Sequence, residues 1–320
     1  MKRLAALAIT VVILALLFWK VDQPKLWQNL RQTHWGWFAA AMLAFVPQVL
    51  VIAWRWKRLV DVFTQLKLGE SVRLVLASQT MNLVLPSKMG DLSKGYFLSR
   101  RGLLDLTRAM NVVVFEKLLD VATLAGVMLL GVAALLASNG ETDLQTRAAL
   151  VAAVIGCAAV AGVAALYFVP TRYIPGFTRG LQWLDGKPKL RKLHTLAATG
   201  HDVIHMLQSH GARRAEIVAM SMLIWCLHLV QIYFFFRSLG AAAPLAQFAT
   251  LVPLAIFIGL LPISIAGFGT RDAALIALFP GFPGEVMLGV AMYVNLRYIL
   301  PAACGMPFLH KYMQSTTDAI

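Results

Sequence analysis

Apolar residues occur along this chain in long runs that short polar segments separate. A helix of about 20 apolar residues is long enough to cross the hydrocarbon core of a bilayer. The run nearest the C-terminus has this length although it carries Arg297 in its middle. The pattern predicts membrane-spanning helices at 35–54, 121–140, 148–171, 217–236 and 286–309.

The N-terminal segment MKRLAALAITVVILALLFWK is laid out like a signal peptide, with two positive charges before an apolar run. The following residues, VDQPK, provide no small-residue cleavage site of the kind that signal peptidase requires. We therefore predict an uncleaved first span with its N-terminus in the cytoplasm, which brings the number of transmembrane helices to six.

Two further apolar stretches are interrupted by proline and glycine. The stretch 74–87 is too short for a span and leads into NLVLPSKMGDLSKG, whereas 238–270 is too long and ends within IGLLPISIAGFGTRD. Helices broken in matching positions of two halves are typical of secondary transporters. We predict two re-entrant helical hairpins of opposite orientation, at 69–101 from the cytoplasmic side and at 245–282 from the outside.

Composition and charge agree with lipid as the solvent. Hydrophobic residues make up 59% of the 320 residues and charged residues 14%, and the mean hydropathy is +0.71. Much of the net charge of +14 comes from segments that we place in the cytoplasm, WRWKR at 54–58 and 172–215, as the positive-inside rule expects. We assign this charge to loops and anionic lipid head groups, with no nucleic-acid partner, and predict both termini in the cytoplasm.

The predicted fold class is an all-α integral membrane protein with a single membrane domain, 1–320. Span, hairpin and span recur in two halves, which predicts an inverted repeat. The parts are a first span and outer loop (1–34), a first half (35–137), a connecting span (148–171), a basic cytoplasmic loop (172–215) and a second, inverted half (217–309).

The basic loop contains an amphipathic stretch at 187–214, which predicts a helix lying in the membrane interface. Three histidines share one face of this stretch: His194, His201 and His205. They either hold a zinc ion or form a solvated polar edge, and the second interpretation is favoured because no further ligand accompanies them.

The sequence contains no catalytic motif of a soluble enzyme, such as a phosphate-binding loop, a dinucleotide fingerprint or a nucleophile elbow. Its cysteines lie in separate apolar runs, which predicts small core residues: Cys157, Cys226 and Cys304. We therefore predict no cofactor, no metal site and no enzymatic activity. Transport would be passive or driven by an ion gradient or the membrane potential.

A half-helix that begins after a break presents unpaired N–H groups and the positive end of its dipole. Ser87 or Ser264 is placed to cap such an end, and Gly90, Gly267 and Gly269 allow close backbone approach. Two such ends near the middle of the bilayer predict a site for an anion such as phosphate. The alternative is that these residues only shape tightly packed helices.

Charged side chains lie beside the breaks and within the spans: Asp91, Lys94, Glu116, Asp120, Arg271, Asp272 and Arg297, with Asn295 near the last. An ionised residue within a span costs at least about 2.5 kcal/mol on insertion scales, so it faces a partner or a polar cavity. The acidic pair in the third span either pairs with the two arginines as a gate or carries protons. Alternatively, its first member lies at the cytoplasmic head groups with Lys117.

The blocks WRWKRLV, NLVLPSKMGDLSKGYFLSR, VVFEKLLDVATL and LLPISIAGFGTRDAAL together resemble the flippase-type transmembrane domain of the lysylphosphatidylglycerol synthase family. The resemblance covers nearly the whole chain and implies movement of a lipid head group across a bacterial inner membrane. It carries functional positions over to Asn82, Pro86, Gly90, Asp91, Glu116, Asp120, Pro262, Ser264, Gly267, Gly269, Thr270 and Arg271.

This sequence departs from the family pattern at two positions. Asp272 stands where we expect Glu, and Lys117 stands where we expect Arg. A lysine lacks the bidentate fork with which arginine grips a phosphate. The aminoacyl-transferase domain of the bifunctional members does not follow the last span, so we do not expect a lysyl-lipid synthase.

We therefore expect a transporter that moves a phospholipid or polyprenyl-phosphate head group through a polar cavity at the two breaks. Lys94, Arg271 and Arg297 would attract the phosphate. The expected partners are membrane lipids with an anionic or phosphate group, and a homo-oligomer or a pathway partner is compatible with the sequence. Two alternatives stay open: a membrane enzyme that acts on a lipid phosphate, and a non-catalytic partner in a lipid-modifying or glycan pathway.

Overall fold

The computed structural model describes residues 2–137, 143–168, 211–261, 264 and 267–317, and within these ranges the chain is helical and contains no strand. A 3-10 turn, Pro86–Asp91, connects the helix that ends at Val84 to the helix that begins at Leu92. The helices are α1 (Lys2–Lys20), α2 (Gln23–Arg31), α3 (Trp35–Leu43), α4 (Phe45–Val60), α5 (Leu68–Val84), α6 (Leu92–Arg100), α7 (Leu106–Leu136), α8 (Asp143–Phe168), α9 (Gly211–Ser238), α10 (Leu245–Leu260), α11 (Thr270–Leu278) and α12 (Gly284–Thr317).

Within the described residues, five helical segments are long and apolar enough to cross a membrane. A sixth is added if α1 and α2, which meet at 91°, count as one span. The five are Trp35–Val60, Leu106–Leu136, Thr146–Ala165, Gly211–Ser238 and Gly284–Gln314. The chain is therefore an all-helical, multi-pass membrane protein, as the hydrophobic pattern predicted.

The spans extend beyond the apolar runs that predicted them. α7 begins at Leu106, well before the predicted start at 121, and the segment Trp35–Val60 continues past 54. The added residues at the start of α7 and at the end of α4 are partly polar. A long helix tolerates such isolated charges when they face neighbouring helices. The prediction that WRWKR begins a loop is therefore wrong for this part of the chain.

Both predicted helix breaks are present, between α5 and α6 and between α10 and α11. The first arm of each hairpin packs against the long helix of the other half: α5 against α12, and α10 against α7. The second arms pack against the long helix that follows them, α6 against α7 and α11 against α12. Insertion from opposite faces of the membrane and the inverted repeat remain predictions.

Glycine permits two of these helix crossings to be close. A Cβ atom at Gly131 of α7 would lie 2.5 Å from the carbonyl carbon of Ala249 in α10. A Cβ atom at Gly305 of α12 would overlap the carbonyl oxygen of Leu76 in α5. Small residues at such crossings let two backbones approach, which is how helices pack tightly in lipid.

The apolar core consists of two clusters of buried side chains. The first is formed mainly by α4, α5, α6 and the N-terminal part of α7, and the second by α9, α10, α11 and the C-terminal part of α7 with the start of α12. Along α7 the first cluster ends at Leu119 and the second begins at Leu124. Glu116 and Asp120 of α7 therefore lie close to the change from one cluster to the other.

The three cysteines correct a prediction. We expected small core residues, but Cys157, Cys226 and Cys304 are exposed on the surfaces of their helices. The lipid-facing side of a transmembrane helix is as apolar as its core side, so an apolar run does not reveal which side a residue occupies. The amphipathic stretch 187–214, with its histidines, lies largely outside the described residues.

Candidate functional site

A cavity with a volume of about 110 Å³ is lined by residues of both apolar clusters together with seven charged side chains. A cavity of this size accommodates several water molecules. Its walls come from α4, α5, α6, α7, α9 and α12, and the charged side chains that line it are Arg55, Asp91, Lys94, Glu116, Lys117, Asp120 and Arg297. The cavity therefore supplies the polar surroundings that charges within a span require.

Arg55 of α4 is at the centre of these contacts and is only 1% exposed. Its Nη1 donates to Asp120 Oδ1 at 2.5 Å and to the Ser221 hydroxyl at 2.9 Å, and its Nη2 donates to Glu116 Oε1 at 3.0 Å. One guanidinium group thus joins α4 to α7 and α9. The planar fork of arginine suits this arrangement because it offers several donors in fixed directions.

Two lysines complete the contacts around α7. Lys94 Nζ of α6 lies 2.5 Å from Glu116 Oε2. Lys117 Nζ lies 2.8 Å from Asp91 Oδ2 and 2.9 Å from Asp120 Oδ2. We call the following six side chains the ion-pair network: Arg55, Asp91, Lys94, Glu116, Lys117 and Asp120. Three positive charges meet three negative charges, so the network is electrically balanced.

The first break contributes Asp91, which occupies the N-cap position of α6. Its Oδ1 accepts hydrogen bonds from Asn82 Nδ2 at 3.2 Å and from the Ser78 hydroxyl at 3.4 Å. A Cβ atom at Gly90 would overlap the backbone nitrogen of Asn82, so glycine lets the turn fold back onto α5. The side chain of Ser87 lies outside the described side chains.

The second break is held by bonds between α11 and α12. The Arg271 guanidinium donates to Asn295 Oδ1 and, at 3.2 Å, to the Tyr298 hydroxyl. Asn295 Nδ2 in turn donates to Asp272 Oδ2 at 2.8 Å. The same carboxylate oxygen accepts the Gly269 backbone N–H at 3.0 Å, so Asp272 caps its own helix.

Ser264 does not cap α11. Its hydroxyl lies 2.8 Å from the Thr270 hydroxyl, which also donates to the Gly267 carbonyl at 3.4 Å. Gly267 and Gly269 have φ values of 78° and 85°, in the left-handed region where a side chain is disfavoured. Pro262 lies outside the described residues. Ser264, Gly267, Gly269 and Thr270 shape the break, and none of these described residues lines the cavity.

The half-helix ends that we expected to be open for an anion each hold a carboxylate. Asp91 lies at the start of α6 and Asp272 in the first turn of α11. A negative side chain at this place is stabilised by the helix dipole. Asp272 accepts the Gly269 N–H and so takes the position of an incoming anion at α11, whereas Asp91 makes no capping bond to α6 and bonds to Asn82, Ser78 and Lys117. The geometry therefore disfavours an anion site at the start of α11, and the anion site at the start of α6 stays a prediction.

Arg297 of α12 differs from the cations of the network. Its side chain lines the cavity and is 6% exposed. Nη2 donates to the Tyr298 hydroxyl at 2.6 Å, and the guanidinium carbon lies 4.6 Å from the centroid of that ring. Nε and Nη1 have no hydrogen-bond partner among the described residues. Arg297 and Arg271 therefore meet at one tyrosine, which links the second break to the cavity.

The predicted site residues thus gather in two groups, one at the cavity and one behind it at α11 and α12. Pairing with Arg271 or Arg297 was one of the roles considered for Glu116 and Asp120. The structure instead pairs these carboxylates with Arg55, Lys94 and Lys117. The sequence reasoning missed Arg55. A signal for it was present: it lies between two tryptophans, before the basic pair that ends α4.

The comparison with known proteins agrees with this architecture. A family model described as the lysylphosphatidylglycerol synthase TM region matches residues 3–305. The glycosyltransferase AglD of Haloferax volcanii is 25% identical over 352 residues, which cover 99% of this chain and 55% of that protein. The chain thus spans about half the length of that relative. Because the family model matches nearly the whole chain, this protein belongs to the family of lysylphosphatidylglycerol synthase transmembrane regions.

Proposed function

We propose that this protein is a lipid transporter that moves a phosphate-bearing head group across the bilayer through the polar cavity. The lipid tails would stay in the hydrocarbon while the head group passes between the helices. The observation that carries the proposal is the cavity itself, which is lined by seven charged side chains and by residues of both apolar clusters. Charges placed so deep within apolar helices usually mark the pathway of a polar substrate.

The contacts between helices support alternating access as the mechanism. The first hairpin is held to α7 by the ion pairs Lys94–Glu116 and Lys117–Asp91, and the second to α12 by the bonds of Arg271. Each hairpin also packs against the long helix of the other half. Movement of one hairpin would separate its ion pairs and open one side of the cavity, as broken helices do in secondary transporters.

This mechanism revises the roles that we assigned to individual cations. Lys94 is 1% exposed and bonded to Glu116, so it serves as a link between helices and is not free to attract phosphate. Arg271 lies behind the cavity wall and positions Tyr298. Arg297 has two nitrogens without a partner among the described residues, Nε and Nη1, against Nε alone for Arg55, so it remains the cavity cation best able to bind phosphate.

The proposal is tested by reconstituting the purified protein into liposomes and measuring the transbilayer movement of fluorescent phospholipids by chemical quenching of the outer leaflet. We expect protein-dependent movement that Asp91→Asn and Arg271→Gln abolish while both variants stay folded. Arg31→Gln, at an exposed position of α2, is the matched control. No movement of any lipid, or unchanged movement in both variants, would refute the proposal.

A second candidate function is a non-catalytic membrane partner in a lipid-modifying or glycan pathway. It is favoured by one observation: the relative that this chain resembles is named a glycosyltransferase, and the chain spans 55% of it. A partner of this kind would tolerate Asp91→Asn without loss of pathway product, whereas a transporter would not. An enzyme acting on a lipid phosphate would instead form product from the purified chain.

We further propose that the protein lies in a bacterial inner membrane with both termini in the cytoplasm. The support comes from the basic segments, which fall on one side of the predicted topology, as the positive-inside rule requires. Membrane lipids are its proposed partners, and a homo-oligomer or pathway partner remains a prediction.

A further inference from the structure

The net charge of the side chains that line the cavity limits the charge of the molecule that it can bind. The six side chains of the ion-pair network cancel one another, since each cation lies within 3.0 Å of a carboxylate oxygen. Behind the wall, the Arg271 guanidinium lies 3.6 Å from Asp272. Arg297 is the charged residue of the cavity wall that has no carboxylate beside it among the described residues. The cavity therefore carries about one unit of positive charge.

The buried hydrogen-bonding groups without a partner also favour an anionic occupant. Among the described cavity-lining residues, the buried nitrogens without a partner include Arg297 Nε and Nη1, Arg55 Nε and Trp225 Nε1. Among the same described residues, one buried oxygen has no partner, Asn82 Oδ1. Buried polar groups in native proteins are normally satisfied by a partner, a water molecule or an ion. An occupant that fills this set must mainly accept hydrogen bonds.

From these observations we propose that the cavity binds a head group with one phosphodiester and a single negative charge, and that Arg297 contacts the phosphate. The inference rests on the proposed lipid transport and names its substrate class. A phosphodiester oxygen pair matches the donors of a guanidinium group, and one negative charge neutralises the one positive charge that the wall leaves over.

The same balance disfavours two other classes of lipid. A phosphomonoester or diphosphate, such as a polyprenyl phosphate carries, brings two or more negative charges, and the cavity has one unpaired cation. A lysyl-modified head group brings extra ammonium groups, and every carboxylate of the network already has a cation beside it. Burial of an uncompensated charge is unfavourable, so both should bind more weakly.

The test is a set of dissociation constants measured by native mass spectrometry on the full chain in detergent. The probes are dihexanoyl-phosphatidylglycerol (one negative charge), dihexanoyl-phosphatidic acid (a phosphomonoester), lysyl-phosphatidylglycerol (cationic) and glycerophosphoglycerol, which has the phosphodiester without tails. We expect the first to bind tightest. Arg297→Gln should weaken it about tenfold or more, as the loss of charged hydrogen bonds predicts, whereas Arg31→Gln should not.

Three outcomes would overturn the inference: equal binding by Arg297→Gln and wild type, tighter binding of the phosphomonoester, or tighter binding of the cationic lipid. If Arg297→Gln does not fold, the order of the dissociation constants on the wild-type chain still tests the selectivity for a phosphodiester with one negative charge. Binding of glycerophosphoglycerol as tightly as the lipid would support the phosphodiester site but contradict lipid transport. Absence of transport in liposomes with selective binding would likewise refute the function and leave the site standing.

Discussion

Some single side chains of this protein should contribute strongly to its stability, because they are buried where water cannot replace a lost ion-pair partner. Arg55 holds Glu116 and Asp120 and is 1% exposed. Removing one member of a buried ion pair leaves the other charge uncompensated, which costs about 3–5 kcal/mol. Lys117 is less deeply buried, with a side chain that is 40% exposed, so its loss should cost less.

At this scale we predict that Arg55→Met lowers the thermal unfolding midpoint of the detergent-solubilised protein far more than Lys117→Met. The cause is the pair of carboxylates left buried beside the missing guanidinium. Arg31→Met provides the control at an exposed position, and the double variant Arg55→Met with Asp120→Asn should recover part of the loss. Equal midpoints for Arg55→Met and Arg31→Met would show that the ion-pair network does not stabilise the fold.

Close contacts between helix backbones, as well as side-chain packing, hold the helices together. α7 meets α10 at Gly131, and α12 meets α5 at Gly305. In lipid there is no hydrophobic drive between helices, so van der Waals contact at such close crossings carries more of the stability. The two crossings involve corresponding elements of the two hairpins, which is what an inverted repeat would produce.

For the elements we predict that Gly131→Ala and Gly305→Ala each destabilise the protein by about 1–3 kcal/mol, the usual cost of overpacking a close contact. Gly162→Ala in α8 is the matched control, because nothing lies within 4 Å of its added Cβ and alanine favours the helix. Equilibrium unfolding in mixed micelles would measure all three. A similar effect of all three substitutions would contradict the close crossings.

The molecule as a whole combines two broken helices with long helices, and its charged cavity is lined by residues of both apolar clusters. If the hairpins enter from opposite faces, the connection between α4 and α5 is cytoplasmic and the connections that flank α10 and α11 are outside. The proposed orientation thus assigns each of these connections to one side of the membrane.

Labelling of single cysteines tests this topology. In a variant without the native cysteines, Gln65→Cys between α4 and α5 should resist a membrane-impermeant maleimide in right-side-out vesicles. Ala242→Cys and Gly281→Cys, both exposed, should react. Labelling of all three positions from the same side would contradict the opposed hairpins, and the inverse pattern would reverse the proposed orientation.

The sequence by itself determined the helical class, the membrane setting and the places where α5 and α10 end. These features are local: lipid requires each backbone to satisfy its own hydrogen bonds, so apolar runs and breaks at proline and glycine can be read directly from the chain. Most members of the candidate site were also named from charge within apolar runs, including Asp91, Glu116, Asp120 and Arg297.

Only the tertiary structure decided which charges meet. Arg55 and Glu116 are 61 residues apart, and Arg55 and Ser221 are 166 apart, distances over which local pattern carries no information. A charged residue near the end of an apolar run looks the same whether it faces head groups or a cavity, because both surroundings solvate it. The pairing that leaves Arg297 alone in the cavity therefore follows from the packing of α4, α6, α7 and α12, and that packing determines the charge of the lipid that we expect the protein to carry.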